Sequence, residues 1–239
     1  MGARWELPIR LSRKLAISQI DELSEPLPEW LIRQPVVARL IDHLGVSEFR
    51  RRLIHMSPGL FIIGLPLVPY HRHWLLILSG ALVISIVCLT LAVRYRRFFT
   101  RQNEASWSSA VLGYFVPIVS ALVIFPHRPE FGLLTLEIVA VGDGSATLGG
   151  MLLGGWRLPW NNRKTVSGLF CFIFFGWLMA TFLYWGEASD VPFGICALIC
   201  GTAAFCAGMV ESLPVRSNDN FRVGITALLV GIAMSYLLA

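Results

Sequence analysis

The sequence VSGLFCFIFFGWLMATFLYW, residues 166–185, runs for 20 residues without a charged side chain. About 20 apolar residues in a helix cross the roughly 30 Å hydrocarbon layer of a bilayer, so this run predicts a transmembrane helix. The composition of the chain agrees with this prediction. Of the 239 residues, 55% are hydrophobic and 15% are charged, and the mean hydropathy is +0.65.

Further apolar runs on either side predict an all-α fold, a polytopic membrane helical bundle. Residues 1–46 are expected to form an N-terminal cytosolic or membrane-surface helical segment, and residues 47–239 the transmembrane domain that carries the chemistry. Apolar side chains at helical spacing in residues 35–44 indicate an amphipathic helix on the membrane surface, or equally a cytosolic cap. We expect about seven transmembrane helices, at 56–70, 74–93, 108–126, 131–153, 166–185, 191–210 and 221–238.

The basic residues give this bundle an orientation. If the N-terminus is cytoplasmic, 18 of the 20 Lys and Arg residues lie on the cytoplasmic side, and only Arg72 and Arg128 lie opposite. Short cytoplasmic loops of membrane proteins carry an excess of Lys and Arg. The sequence therefore predicts an integral, multi-pass protein of the inner or plasma membrane if bacterial, with its C-terminus on the far side.

One apolar run carries an acid. The sequence VAVGDGSATLGG, residues 139–150, places Asp143 between Gly142 and Gly144. A charged side chain within a membrane span costs about 2.5 to 3.5 kcal/mol, so Asp143 should have a partner or a metal ion. The glycines would let a ligand approach backbone amides. The alternative is glycine-mediated helix packing, with Asp143 neutralised by an arginine.

Three further polar clusters fall on the same predicted face. The first is EFRRRLIHMSPG, residues 48–59, in which spacings of three and four place polar side chains on one stripe of a helix. Alternatively, this cluster is a basic helix end that only sets the orientation of the chain in the membrane. The members of this stripe are Glu48, Arg51, Arg52 and His55.

The other two clusters follow later spans. The sequence GGWRLPWNNRKTVSG, residues 154–168, supplies Arg157, Arg163 and Lys164, and Thr165 or Ser167 could cap the next helix. The sequence VESLPVRSNDN, residues 210–220, supplies two acids and an amide. These are Glu211, Asp219 and Asn220.

Together the clusters contain what phosphoryl or nucleotidyl transfer requires. The carboxylates of Asp143, Glu211 and Asp219 are hard oxygen ligands that suit Mg²⁺, and the basic residues can neutralise phosphates. No GxxxxGK[ST] phosphate loop occurs in the sequence. A nucleotide is therefore expected at the cytoplasmic ends of the spans.

In order and spacing, the motifs GDGSATLGG, LPWNNRKTVSG and VESLP, with the cluster at residues 48–59, resemble the polyprenol kinase family. That family includes phytol and farnesol kinases, dolichol kinase and CTP-dependent diacylglycerol kinase. The resemblance covers residues 48–222 and is strongest to the phytol kinase branch. It implies transfer of the γ-phosphate of CTP, with Mg²⁺, to the hydroxyl of an isoprenoid alcohol or diacylglycerol at the cytoplasmic membrane face.

The resemblance also assigns roles to residues. Asp143, Glu211 and Asp219 would hold the metal ion, and Asp143, His55, Glu211 and Asp219 would be catalytic, with the group that deprotonates the alcohol left open. The nucleotide would be bound by Arg51, Arg52, Gly142, Gly144, Arg157, Arg163, Lys164, Thr165 and Asn220.

The sequence departs from the family pattern at Thr147, where an acid often follows GDG. This departure leaves the number of metal ions open. Two other functions also remain open, a cytidylyltransferase that joins CMP to a lipid phosphate, and a transporter with a glycine-broken helix. The expected partners are the lipid alcohol, CTP and the bilayer, with no nucleic acid and with a possible homo-oligomer.

Overall fold

The computed structural model describes residues 29–62, 107–215 and 218–238. The chain divides into two compact units, Met1–Ile54 and His55–Ala239. The domain boundary expected between residues 46 and 47 stays a prediction. The predicted span at 74–93 and the second half of the one at 56–70 lie outside the described residues.

Proline and glycine set the helix limits in the first unit. Helix α1 is Glu29–Ile32, α2 is Pro35–Leu44 and α3 is Val46–Ile62. Pro35 begins α2, a position where its missing N–H costs nothing. Gly45 ends α2 with a φ of 77°, which glycine adopts without strain. The predicted helix at 35–44 is confirmed, and its place on the membrane surface stays a prediction.

Among the described residues of the second unit, four helices are long and apolar enough to cross a membrane. They match four of the predicted spans, and the remaining apolar helix, α4 at Trp107–Ile124, has a shorter apolar stretch, Val111–Ile124. The described part of the chain thus supports a helical membrane protein, whereas seven spans and a cytoplasmic N-terminus stay predictions. The four long helices are α5 Glu130–Leu152, α6 Val166–Glu187, α7 Phe193–Ser212 and α8 Asp219–Leu238.

Small residues let these helices pack closely. Helix α7 packs against both α6 and α8 through Ala203, Ala204 and Ala207, which are fully buried. A Cβ atom placed on Gly176 would lie only 3.5 Å from the Cα of Gly142 in α5. Lipid chains are as apolar as leucine, so membrane helices associate by close packing of small residues rather than by burying large apolar ones.

One face of α6 carries large apolar residues that point outward. In a soluble protein such an aromatic surface would mark an interface, whereas in a bilayer it meets lipid chains. The outward face of α6 therefore agrees with its assignment as a span. The exposed aromatic residues are Phe170, Phe174, Phe175, Trp177, Phe182 and Trp185.

Arg128 connects α5 and α8 at the end of the bundle farthest from the α5–α6 connection. It lies between α4 and α5, and its Nε atom donates to Oε1 of Glu130 at 2.7 Å. Its Nη2 atom donates to Oγ of Ser235 in α8 at 2.9 Å. The guanidinium carbon also lies 4.6 Å from the ring centroid of Phe131, in cation–π geometry.

A short hairpin modifies the predicted all-α fold. Strands β1, Arg157–Leu158, and β2, Asn161–Thr165, pair antiparallel between α5 and α6. The sequence analysis expected a loop here, because the strands are too short to show an alternating pattern. The fold is otherwise helical in the described residues, and the hairpin holds most of the predicted basic cluster.

Candidate active site

Asp143 lies where α5 returns from a π turn to regular α-helix. The helix consists of Glu130–Glu137, the π turn Ile138–Gly142 and Asp143–Leu152. A π turn interrupts the regular hydrogen-bond ladder and is frequent at functional sites. Apart from the glycines around Asp143, nothing in the sequence indicated this π turn.

His55 lies against this turn. Its Nε2 atom is 3.2 Å from the carbonyl oxygen of Val139 and 3.4 Å from Oδ2 of Asp143. Both neighbours of Nε2 are hydrogen-bond acceptors, so we infer that Nε2 carries a hydrogen. Both the His55 and Asp143 side chains are 17% exposed. The acid therefore lies in a largely enclosed place, with a histidine beside it.

Tyr114 of α4 positions His55. Its hydroxyl donates to the backbone carbonyl of His55 at 3.3 Å. The two rings also meet edge to face, with centroids 4.9 Å apart and planes at 77°. Sequence analysis missed Tyr114, because a tyrosine within an apolar run carries no signal of its own.

The hairpin is anchored to the end of α7. Asn161 donates through Nδ2 to the carbonyl of Ser212 at 2.9 Å, and Trp160 donates through Nε1 to Oγ of Ser212 at 3.0 Å. The last carbonyls of a helix lack partners within the helix, so this contact satisfies one of them. Neither Asn161 nor Ser212 was singled out, although both lie within the quoted motifs.

Lys164 of β2 forms the next contact with α7. Its ammonium group bonds both the carboxylate and the backbone carbonyl of Glu211. The Glu211 side chain is 9% exposed and that of Lys164 is 28% exposed, so the ion pair is mostly enclosed. Two residues predicted from separate motifs are thus brought together.

The start of α8 contributes a third ion pair. Asp219 bonds Nη2 of Arg222, and Nη1 of Arg222 donates to the carbonyl of Val210 in α7 at 3.2 Å. Half of the Asp219 side chain is exposed. Arg222 was counted only as a basic residue that sets orientation, and the structure gives it this additional contact.

The three acids form one electrostatic neighbourhood. The charges of Asp143 and Asp219 both act on the carboxyl group of Glu211. Each acid has a basic neighbour, His55 for Asp143, Lys164 for Glu211 and Arg222 for Asp219. In residues 29–62, 107–215 and 218–238, however, no three His, Cys, Asp or Glu side chains lie close enough to hold one metal ion. The predicted metal ligands therefore stay a prediction.

Two bases of the hairpin are open to solvent. Arg157 and Arg163 are exposed, and Nη1 of Arg157 donates to the carbonyl of Arg163 at 3.3 Å. Thr165 caps α6, because its Oγ1 atom accepts from the backbone N–H of Gly168 at 3.1 Å. The predicted cap is present, and contact of these residues with a nucleotide stays a prediction.

The glycines flanking Asp143 have packing roles. A Cβ atom on Gly142 would lie 3.3 Å from the Phe172 ring, and one on Gly144 would lie 2.2 Å from Cγ of Met56. Both glycines lie in a continuous helix, which agrees with the alternative of glycine-mediated packing. Oγ1 of Thr147 lies 3.5 Å from the carbonyl of Asp143, at the limit of a hydrogen bond.

Three predicted residues remain, Arg51, Arg52 and Asn220. Arg51 and Arg52 belong to the first unit, where their Nε atoms donate to the carboxylate of Glu48 at 3.0 and 3.2 Å. Arg51 and Arg52 follow Glu48 by three and four residues, the spacing that places side chains on one face of a helix, as predicted. Asn220 lies in the first turn of α8. Nucleotide binding by all three stays a prediction.

The candidate site thus combines an acid and a histidine enclosed among apolar helices with basic side chains on the hairpin that follows α5. The chain is 24% identical over 200 residues to a probable phytol kinase 1 of Glycine max, with 75% of this chain and 65% of the relative covered. It is 24% identical to phytol kinase 1 of Arabidopsis thaliana, with 77% and 65% covered.

Farnesol kinase of Arabidopsis thaliana is also 24% identical, with 76% of this chain and 64% of the relative covered. All three relatives are described as chloroplastic. The chain spans about 65% of the length of the curated relatives it matches. No family model matches the chain, and no solved structure matches it. The alignments confirm the relationship to the phytol and farnesol kinases.

Proposed function

We propose that this chain is a CTP-dependent lipid alcohol kinase, which transfers the γ-phosphate of CTP to an isoprenoid alcohol such as phytol, farnesol or a polyprenol. The observation that carries the proposal is the enclosed Asp143–His55 pair, in a chain of which about three quarters aligns with phytol and farnesol kinases. The reaction would occur at the cytoplasmic membrane face. Diacylglycerol is a further acceptor to be tested.

His55 would orient Asp143. Because Nε2 faces two oxygen acceptors, its hydrogen would hold the Asp143 carboxylate in a fixed orientation. The contact of Tyr114 with His55 would hold the imidazole in that position. His55 is therefore suited to position Asp143, and its Nε2 atom is not placed to remove a proton from the alcohol.

Mg²⁺ fits this site through Asp143. In nucleotide sites Mg²⁺ is held by one or two carboxylates together with substrate phosphates and water, so a cluster of three acids is not required. When bound, Mg²⁺ would neutralise charge on the transferring phosphate.

The hairpin would bind the triphosphate. Arg157 and Arg163 are exposed and fully charged, and guanidinium groups bind phosphate oxygens in bidentate fashion. The bond of Lys164 with Glu211 fixes the hairpin on α7. In the reaction the alcohol oxygen bonds the γ-phosphorus, the bond from that phosphorus to the bridging oxygen breaks, and CDP leaves as the hydroxyl proton is released.

The test uses purified protein in detergent with Mg²⁺ and each of CTP, ATP, GTP and UTP. The acceptors are phytol, farnesol, a longer polyprenol and diacylglycerol, and the nucleotide and lipid products are resolved. CDP with a phosphorylated isoprenoid alcohol is the expected result. Pyrophosphate with a CDP-lipid would replace the proposal with a cytidylyltransferase, and no turnover with any nucleotide would favour a transporter.

A further inference from the structure

Glu137 is a buried acid that the proposed reaction does not yet use. It is fully buried in α5, and neither Oε1 nor Oε2 has a hydrogen-bond partner among the described residues. A polar group buried without a partner costs about 1 to 3 kcal/mol in proteins, and a charged one costs more. Such a group is therefore expected to meet a ligand or to have another function.

The position of Glu137 relates it to Asp143. Gly59 faces Glu137, since a Cβ atom on Gly59 would lie 3.0 Å from Oε2 of Glu137. His55, four residues earlier on the same helix, faces Asp143. Four residues are about one helical turn, or roughly 6 Å. The Glu137 carboxyl group thus lies one turn from the His55–Asp143 pair, on the side away from the hairpin.

The surroundings of Glu137 are those that a lipid alcohol needs. Two apolar side chains adjoin Gly59 together with the Glu137 carboxyl group, since a Cβ atom on Gly59 would lie 3.0 Å from Val141 and 3.1 Å from Ala140, and both are buried. An isoprenoid alcohol brings one hydroxyl group on a long hydrocarbon chain, and that hydroxyl loses its water when it enters an apolar bundle. The hydroxyl and the Glu137 carboxyl group each lack a partner there, and one hydrogen bond between them would satisfy both.

Gly59 makes this approach possible. The carboxyl group is covered on that side by a residue without a side chain. A small displacement of the helical segment around Gly59 would therefore expose the carboxyl group, whereas a larger residue at position 59 would contact Oε2 directly. The phosphate-binding hairpin adjoins the other end of α5, so a hydroxyl at Glu137 would face Asp143 from the apolar side.

We propose that Glu137 binds the hydroxyl group of the lipid alcohol. This inference rests on the proposed kinase function for its ligand, but it concerns a contact that binding measurements can detect without turnover. It makes Glu137 a residue that distinguishes an alcohol from a hydrocarbon of the same shape. It also explains why an acid that stabilises nothing in the described structure lies in the most buried span.

The test compares phytol with phytene, the hydrocarbon of the same skeleton without the hydroxyl, by their shifts of the thermal unfolding midpoint of the full chain in detergent. A ligand that binds the folded state raises this midpoint. The variants are Glu137→Met and Glu137→Gln. The matched control is Thr135→Val, on the same buried helix, because the Thr135 hydroxyl is already bonded to the carbonyl of Phe131 at 2.8 Å.

We expect the parent and Thr135→Val to bind phytol about tenfold more tightly than phytene. Glu137→Met should lose this preference and be at least as stable as the parent, because it removes a buried group without a partner. Glu137→Gln should keep part of the preference. An unchanged preference in Glu137→Met, no preference in the parent, or a Glu137→Met protein less stable than the parent would overturn the proposal.

The kinase assay separates this proposal from the function on which it rests. If the parent phosphorylates phytol and Glu137→Met does so with unchanged kcat and KM, the hydroxyl site is wrong and the kinase stands. If the parent phosphorylates no alcohol but its preference for phytol over phytene is lost in Glu137→Met, the kinase is wrong and the hydroxyl site stands.

Discussion

The Lys164 ammonium group bonds both the carboxylate and the backbone carbonyl of Glu211, and it thereby joins the hairpin to the end of α7. Removing one partner of a buried ion pair leaves the other charge uncompensated, which typically costs more than the pair contributes. The pair therefore holds the hairpin on α7, together with the bonds of Trp160 and Asn161 to Ser212.

Replacing Lys164 by Met should destabilise the protein by about 2 to 4 kcal/mol, somewhat below the usual range for a fully buried pair because Lys164 is part exposed. The double variant Lys164→Met with Glu211→Gln should lose much less than the sum of the single variants. Reversible unfolding in mixed micelles measures the loss in free energy of unfolding for the single and the double variants. Arg163→Gln, an exposed neighbour, is the control, and additive losses would mean that the pair does not couple.

Replacing Asp143 by Asn should lower turnover at least 100-fold while the protein remains folded. Asn keeps the shape of the side chain but removes the charge that would hold a cation. Asp190→Asn, an exposed acid between α6 and α7, serves as the control. Normal turnover by Asp143→Asn in the alcohol kinase assay would remove Asp143 from the mechanism.

Replacing Tyr114 by Phe should lower kcat several-fold and leave the KM for the nucleotide unchanged. The change removes only the hydroxyl that bonds the His55 carbonyl, and it keeps the ring contact at 4.9 Å. A hydrogen bond of this kind contributes about 1 kcal/mol. Steady-state kinetics measure both parameters, and an equal kcat in parent and variant would show that Tyr114 does not position His55.

Replacing Trp156 by Cys should give a thiol that is labelled from the cytoplasmic side only. Trp156 is 87% exposed at the hairpin end of the bundle, and the excess of basic residues predicts that this end is cytoplasmic. Asp190→Cys, in the connection at the far end, should react only from the opposite side. A membrane-impermeant maleimide applied to cells and to inverted vesicles measures this, and the reverse pattern would invert the topology.

Replacing Arg128 by Met should destabilise the protein by about 1 to 3 kcal/mol without changing the KM for the nucleotide. The variant loses the bonds to Glu130 and Ser235 and leaves the buried Glu130 carboxylate without this partner. Unfolding experiments and steady-state kinetics on the same preparation measure the stability of the variant and its KM for the nucleotide separately. A changed nucleotide KM with unchanged stability would contradict a purely structural role for Arg128.

The helical spans could be read from the sequence because their signal is local. Twenty consecutive apolar residues, as at 166–185, fit the hydrocarbon layer of a bilayer whatever their neighbours are. Four predicted spans are found with limits within a few residues of those expected. The hairpin at 157–165 was missed because two short strands are stabilised by contacts with Ser212 and Glu211, which lie far away in the sequence.

The candidate site was predicted as a set of residue types and motifs. Asp143 in an apolar run indicated a partner, because an unpaired charge is costly there, and the motif order indicated phosphate chemistry. Which partner it has could not be predicted. His55 faces Asp143 across 88 residues of sequence, and Lys164 faces Glu211 across 47.

The sequence by itself determined that the chain forms apolar helices and that a few acids and bases interrupt them, because hydropathy and charge are properties of each residue. Only the tertiary structure decided which of these groups meet, because a pairing depends on how α5, α7 and the hairpin pack. The π turn before Asp143 and the buried Glu137 without a partner were likewise set by packing. Glu137 lies inside the predicted span at 131–153, and only the packed structure shows that its carboxyl group is buried with no hydrogen-bond partner among the described residues.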